Sequence, residues 1–397
     1  MVVRKRGTFH KSSTSAPPSH PDRRCPALGA AISLGLARFA YPLLLPGMRA
    51  DLGWSYFTAG AMNTVNAAGY LIGALWMPRA LATLDARRVL LGGAYLTALV
   101  LAGHGLARSD AALYVLRCLA GCASAATFVS GGLLAARLGQ TPGARPALVL
   151  GVYYGGTGVG IIASALMVPP LSWPVAWWAL AAAALVAALA MAAGTRSLAG
   201  PPGGRAAQGQ GFRARDFAFG LAGYLMFGLG YIGYMTFNVT LLREQGAGPA
   251  LVLTFYLLLG LGVIASSWLW APLLQRCQGG QALALLNGLL ALATVLPVLS
   301  AHPLASLVSG ALFGAVFLSV VASTTALVRH NLAMAAWPAG IAAFTVVFAA
   351  GQIVGPSLVG LVADGGGLGR GLALSAAALA LGSLLATRQK ALARAAD

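Results

Sequence analysis

The chain has 397 residues, is 58% hydrophobic and only 9% charged, and has a mean hydropathy of +0.79. Soluble domains carry about 25% charged residues, so this composition excludes an ordinary water-soluble fold and implies a polytopic membrane protein. The net charge of +18 would suggest nucleic acid in a soluble protein. Here membrane topology accounts for it, and no nucleic-acid partner is expected.

Residues 1–26 are basic and rich in Ser and Pro (Arg4, Lys5, Arg6, Pro17, Pro18, Arg23, Arg24). They have no packing period and are expected to form a disordered basic cytoplasmic tail. The apolar run that follows is too long for the core of a signal peptide. Twelve apolar segments come next, at 27–48, 56–78, 88–107, 111–136, 146–168, 173–193, 217–241, 249–273, 281–300, 303–328, 337–362 and 368–388. About 20 apolar residues span the hydrocarbon, so each is a candidate transmembrane helix. Residues 194–216 contain Gly200-Pro201-Pro202-Gly203-Gly204 and four arginines. They form a cytoplasmic linker between a six-helix bundle at 27–193 and a second at 217–388, which is followed by a tail at 389–397.

Lysine and arginine counts set the orientation. Only Arg49, Arg108, Arg243 and Arg370 fall in the loops away from the N-terminal side, and Arg38 and Arg117 lie within segments. The remaining Lys and Arg share one side, which places both termini in the cytoplasm. Trp54, Trp173, Trp177 and Trp178 fall near one set of segment ends and Trp76, Trp268, Trp270 and Trp337 near the other, as interfacial belts do.

Segment 1 carries Arg38 at its centre, within Leu34–Pro46. A mid-membrane arginine costs about 2.5–3.5 kcal/mol on insertion scales and must face protein or a wet cavity. The halves repeat: Gly35-Leu36-Ala37-Arg38-Phe39-Ala40-Tyr41 aligns with Gly228-Leu229-Gly230-Tyr231-Ile232-Gly233-Tyr234. Two parallel-repeat bundles describe a secondary transporter with its site between them at mid-membrane. Tyr231 and Tyr234 therefore face Arg38 across the interface. Together with Tyr224 and Asn238 they form a polar stripe on one face of segment 7.

The eight acids all lie at segment ends, in loops or in tails. Arg38 thus lacks a carboxylate partner within the segments and leaves two readings: it binds an anion, most naturally a carboxylate held by two N–H groups, or it is tied to helix carbonyls. Arg117 in segment 4 suits a structural or snorkelling role. The four cysteines form no CxxC pair, no metal site is formed, and the Gly155–Gly160 run inside segment 5 suits helix packing better than a dinucleotide.

These features resemble the major facilitator superfamily over residues 27–388. The loop after segment 2 (Gly73, Arg79, Asp85, Arg87, Arg88) is similar to that family's gating motif, although the usual early acid is missing. Arg117 and Gly121 resemble its RxxxG motif. Gly151, Gly155, Gly156 and Gly160, and Gly351 through Gly355-Pro356, resemble its glycine-rich rocking helices. More narrowly, ARFAYPLLLPGMRADLG followed by AAGYLIGAL, together with GQIVGP, resembles the YbfB/YjiJ branch. The fold implied is an all-α membrane protein with twelve transmembrane helices in two six-helix bundles related by a parallel pseudo-repeat. The resemblance places segments 2, 5, 8 and 11 around the cavity, which adds Asn66, Tyr153, Tyr256 and Gln352 to Arg38, Tyr41, Tyr231, Tyr234 and Asn238 as substrate-binding candidates.

The function expected is secondary active transport of a small organic solute across the inner or plasma membrane by alternating access, biased to monoanionic carboxylates held near Arg38. The alternative is export of neutral or anionic compounds, and the distant alternative is a non-transporting sensor. No enzyme activity and no cofactor are expected. Coupling would be to protons, through the anion itself or a peripheral acid such as Asp51 or Asp364, or to counter-exchange of an anion. A monomer in the lipid bilayer is expected.

Overall fold

Among the described residues, twelve helices cross the molecule in alternating directions. The structure is a computed structural model that describes residues 25–198 and 212–392. Most of the expected tails and linker lie outside the described residues. The spans are α1 (Pro26–Leu52), α2 (Tyr56–Thr83), α3 (Ala86–Leu106), α4 (Asp110–Gly139), α5 (Pro146–Met167) and α6 (Trp173–Gly194) in one bundle. The other bundle holds α7 (Ala214–Glu244), α8 (Pro249–Arg276), α9 (Gln281–Leu299), α10 (Pro303–Asn331), α11 (Met334–Gly366) and α12 (Leu368–Thr387). Eleven are long and apolar enough to cross a membrane. The other, α2, has 28 residues and the same reach, with Asn63, Thr64, Asn66 and Arg79 diluting its apolarity.

Local chemistry explains the helix ends on the side away from the termini, called distal below. Gly53 takes φ +65° and closes α1, a left-handed cap that glycine adopts without a Cβ penalty. Ser55 then accepts the Thr58 N–H at 3.1 Å and opens α2.

The first span is not one continuous α-helix. Residues Ala31–Leu36 form a π-helix, and a turn follows before the helix resumes at Tyr41. Ala37 N–H bonds Ile32 O at 3.0 Å and Phe39 N–H bonds Leu34 O at 2.8 Å, both one residue wider than α-helical spacing. Pro42 has no N–H to offer the Arg38 carbonyl four residues back. Such π-bulges gather at functional sites, and this one sits directly before Arg38.

The two bundles meet through α1–α7, α2–α11 and α5–α8, whereas α4 and α10 make no extended contact. The α2–α11 contact lies in the distal half: a Cβ on Gly60 would strike the Pro356 carbonyl, and one on Gly360 would strike Tyr56 O. Side chains add to the seal. Thr64 Oγ1 donates to Ile353 O at 2.7 Å and meets Ser357 Oγ at 2.8 Å. Tyr56 bonds Glu244, whose carboxylate lies 3.7 Å from Arg49. The distal half is closed, and α4 and α10 make no comparable seal.

Trp177 departs from its expected place. It is fully buried, 4.5 Å from the His104 ring, and is a core residue rather than an interfacial one. Trp76, Trp178 and Trp268 remain exposed on the molecular surface.

Candidate functional site

Arg38 sits at mid-depth and is only 4% exposed. Its Nη2 donates to Gln352 Oε1 across the bundle interface. Its guanidinium stands 5.7 Å from the Tyr70 ring centre. Nε is buried without a partner, and Nη1 makes no hydrogen bond to the described residues. A buried guanidinium that keeps one neutral acceptor has spare donors. The helix break positions it: the widened turn projects Arg38 toward α2 and α11 instead of along the α1 core stripe.

Tyr70 and Tyr231 flank it. The hydroxyls of Tyr70 and Tyr231 lie within electrostatic reach of Arg38, and Tyr154 lies within reach of Tyr70, Tyr224 and Arg329. None of the three hydroxyls forms a hydrogen bond among the described residues. Tyr154 is 40% exposed although these interior groups lie near it. Tyr231 stacks on Phe227 at 4.7 Å, Phe348 at 5.6 Å and Phe317 at 6.1 Å, with interplanar angles of 20°, 17° and 9°. Phe39, next to Arg38, meets Phe317 edge-on at 5.5 Å.

The second arginine is held differently. Arg117 is 1% exposed. Its Nη2 donates to Asn63 Oδ1 at 2.7 Å, Nη1 to Ala37 O at 3.3 Å and Nε to Met62 O at 3.4 Å. Its guanidinium also lies 4.5 Å from the Tyr41 ring centre. It does not snorkel; it ties the broken turn of α1 to α2 from α4. Asn63 passes the chain on, donating to Thr236 Oγ1 at 2.7 Å in the other bundle.

Of the residues expected at the site, Arg38, Tyr231 and Gln352 come together. Tyr256 comes close, its hydroxyl donating to Phe39 O at 3.4 Å. The others point elsewhere. Tyr41 donates to Ala59 O at 2.9 Å and covers Arg117, because the π-turn rotates it away from the face of Arg38. Asn66 donates to Arg117 O at 3.0 Å, Tyr153 to Phe128 O at 2.5 Å, and Tyr234 pairs with Ser309 Oγ at 2.5 Å. Each is consumed by a neighbouring helix of its own bundle. Asn238 is buried, with Oδ1 accepting Val239 N–H and Nδ2 unpartnered, seven residues distal of Tyr231. Tyr70 and Phe348 were not expected; only the cation–π contact and the ring stack reveal them.

The expected gating residues are mostly intra-bundle. Asp85 accepts the Arg87 N–H and starts α3. Arg87 donates to Thr195 Oγ1 at 3.2 Å and Ala192 O at 2.8 Å, fixing α3 to α6. Arg88 is exposed, and the Arg79 carbonyl accepts from Thr83. Gly73 and Gly121 let α2 and α4 touch backbone to backbone, and Gly355 packs on Leu229 O. Gly155 has only Ile264 within 4.0 Å. Among the described residues no group of His, Cys, Asp and Glu could hold a metal. Two cavities, of about 220 and 160 Å³, open at distal helix ends, the first beside Gln245 and Ser306 and the second beside Pro46 and Trp173; neither adjoins Arg38.

Solved transporters share this fold. A variant of the nucleoside transporter NupG superposes with a TM-score of 0.73 at 14% identity, covering 92% of this chain and 98% of that one. A bacterial homologue of the human lysosomal transporter Spinster, inward-facing and unoccupied, gives 0.64 at 15% identity over 93% and 94%. The human organic anion transporter MFSD10 gives 0.63 at 16% identity over 92% and 99%. No curated protein sequence matches the chain significantly. The family profile described as the uncharacterised MFS-type transporter YbfB matches residues 30–387, and with that span, the twelve helices and the two-bundle fold, the chain belongs to this family of major facilitator transporters.

Proposed function

We propose that the protein takes small organic monoanions across the inner or plasma membrane by alternating access, with Arg38 as the anion-binding group and both termini in the cytoplasm. The observation that carries this reading is the state of Arg38: buried at the bundle interface, bonded to one neutral amide, with Nε unpaired. A carboxylate accepts two parallel N–H groups from a guanidinium and would complete its coordination. Arg117 has three oxygen acceptors and a ring of its own, so the site offers one uncompensated charge. The closed distal half and the absence of a comparable α4–α10 seal support a cytoplasm-facing state, in which solute enters or leaves past Tyr154. Coupling is to protons, carried by the anion itself or by a peripheral acid such as Asp51 or Asp364, or to counter-exchange of a second anion; among the described residues no acid adjoins Arg38.

Uptake of labelled monocarboxylates into proteoliposomes, for the parent, Arg38→Ala and Arg38→Lys, tests this. Transport should fall at least tenfold in both variants, since lysine is a point charge that cannot reproduce the fork. Equal transport in all three overturns it. The ring stack beside Arg38 favours a second reading, export of neutral aromatic compounds, which retained transport of such compounds in Arg38→Ala would support.

A further inference from the structure

The anion site has two unlike walls. On the N-terminal bundle side stand Arg38 and the Tyr70 hydroxyl. On the C-terminal bundle side stands a column of rings. It runs from Phe344 to Tyr224 at 5.8 Å, from Tyr224 to Phe348 at 5.0 Å, from Phe348 to Tyr231 at 5.6 Å and from Tyr231 to Phe317 at 6.1 Å. The last three contacts are near parallel, with interplanar angles of 18°, 17° and 9°. Tyr231 is 3% exposed, yet its hydroxyl is unpartnered and within reach of Arg38. Phe348, partly exposed, presents the accessible edge of the column.

We infer that the transported monoanion is an aromatic monocarboxylate, its carboxylate on Arg38 and its ring packed against Phe348 at the accessible end of the ring column. This rests on the anion reading of Arg38 given above and narrows it. Three features select the class. One uncompensated guanidinium balances one negative charge, so a second carboxylate would stay buried and unpaired. The partly exposed Phe348 ring favours another ring, edge-to-face or offset, over a puckered aliphatic body. The free hydroxyls of Tyr70 and Tyr231 can accept or donate one hydrogen bond each, enough for a ring hydroxyl but too few for a sugar acid with a polar group on every carbon.

The test is equilibrium binding to the purified full-length protein in detergent, with radiolabelled benzoate as probe. Cyclohexanecarboxylate, benzamide and terephthalate serve as competitors. Benzoate should bind about tenfold tighter than cyclohexanecarboxylate, the sense opposite to their hydrophobicity. Benzamide and terephthalate should compete at least tenfold more weakly than unlabelled benzoate. Phe348→Leu, which removes no hydrogen bond, should bring benzoate and cyclohexanecarboxylate to within about twofold of each other, chiefly through weaker benzoate binding. Equal affinities in the parent overturn the aromatic inference and leave the anion site standing, provided Arg38→Gln abolishes both. If neither carboxylate binds, or Arg38→Gln binds them as the parent does, the anion site and the aromatic inference fall together.

Discussion

Asp364 accepts the backbone N–H of Tyr56 at 2.7 Å and, through its other oxygen, that of Phe57 at 2.9 Å. The first turn of α2 is thus capped by a carboxylate that belongs to the opposite bundle. The first N–H groups of a helix have no internal partner, and the helix dipole favours negative charge there. An ordinary cap stabilises a helix; this one, lying across the interface, stabilises the closed state of the distal half.

Replacing it should shift the conformational balance more than the fold. A lost cap costs about 1 kcal/mol, roughly fivefold in an equilibrium constant. Asp364→Ala should raise distal-side labelling of a cysteine placed at Thr64 by about that factor, with little change in melting temperature. Unchanged labelling would mean that the cap does not govern closure.

The two buried arginines should respond in opposite ways to loss of charge. Arg117→Met leaves Asn63 Oδ1 and the carbonyls of Ala37 and Met62 without their donor, at about 1–3 kcal/mol for each buried group. It should lower the melting temperature in detergent by several degrees or abolish expression. Arg38→Gln removes a charge with a single neutral partner and should melt at or above the parent temperature while losing ligand binding. A destabilised Arg38→Gln would assign that residue a structural duty.

Adjacent tyrosines on α5 give a sharper contrast. Tyr153→Phe loses the bond to Phe128 O and should cost about 0.5–1.5 kcal/mol of stability without affecting binding. Tyr154→Leu should leave stability alone and weaken binding or transport. Melting curves beside binding isotherms decide it, and the reverse pattern would place the wrong tyrosine in the chamber.

Glycine substitutions probe the rocking contact of α5 on α8. A Cβ on Gly158 would approach the Gly260 carbonyl and come within 2.7 Å of Ile264 Cγ1, whereas one on Gly92 meets nothing within 4 Å. Gly158→Val should abolish transport or folding. Gly92→Ala should be neutral or stabilising by up to about 1 kcal/mol, from helix propensity. Transport by Gly158→Val at the parent rate would show that the tight contact is dispensable.

Much of this was legible in the residues. Charge bias, span length and the half-repeat specify twelve helices in two sets, because a membrane leaves few other ways to satisfy a backbone. Arg38 announced itself by cost, and the repeat brought Tyr231 to it. Tyr41 and Tyr153 could not be placed that way. One residue turns a helix by about 100°, so Tyr153 is sealed while Tyr154 is open. In α1 the π-turn shifts the register again, beyond the reach of any fixed period. Tyr70 lay in a stretch, AAGYLIGAL, that reads as plain apolar helix. Its role depends on where the break in another helix delivers a guanidinium.

The lone fork on Arg38 has an electrical consequence. On the proposed cycle, the loaded carrier holds Arg38 neutralised by its anion, while the empty carrier holds it bare at the depth where the transmembrane field falls. The two return journeys differ by one elementary charge, and a full unit crossing 100 mV is worth about 2.3 kcal/mol. Voltage therefore acts on a bare stroke and spares one that carries the anion alone; with a proton aboard the two strokes bear equal charge, and under strict anion exchange the carrier never crosses bare, so voltage sensitivity distinguishes the coupling modes.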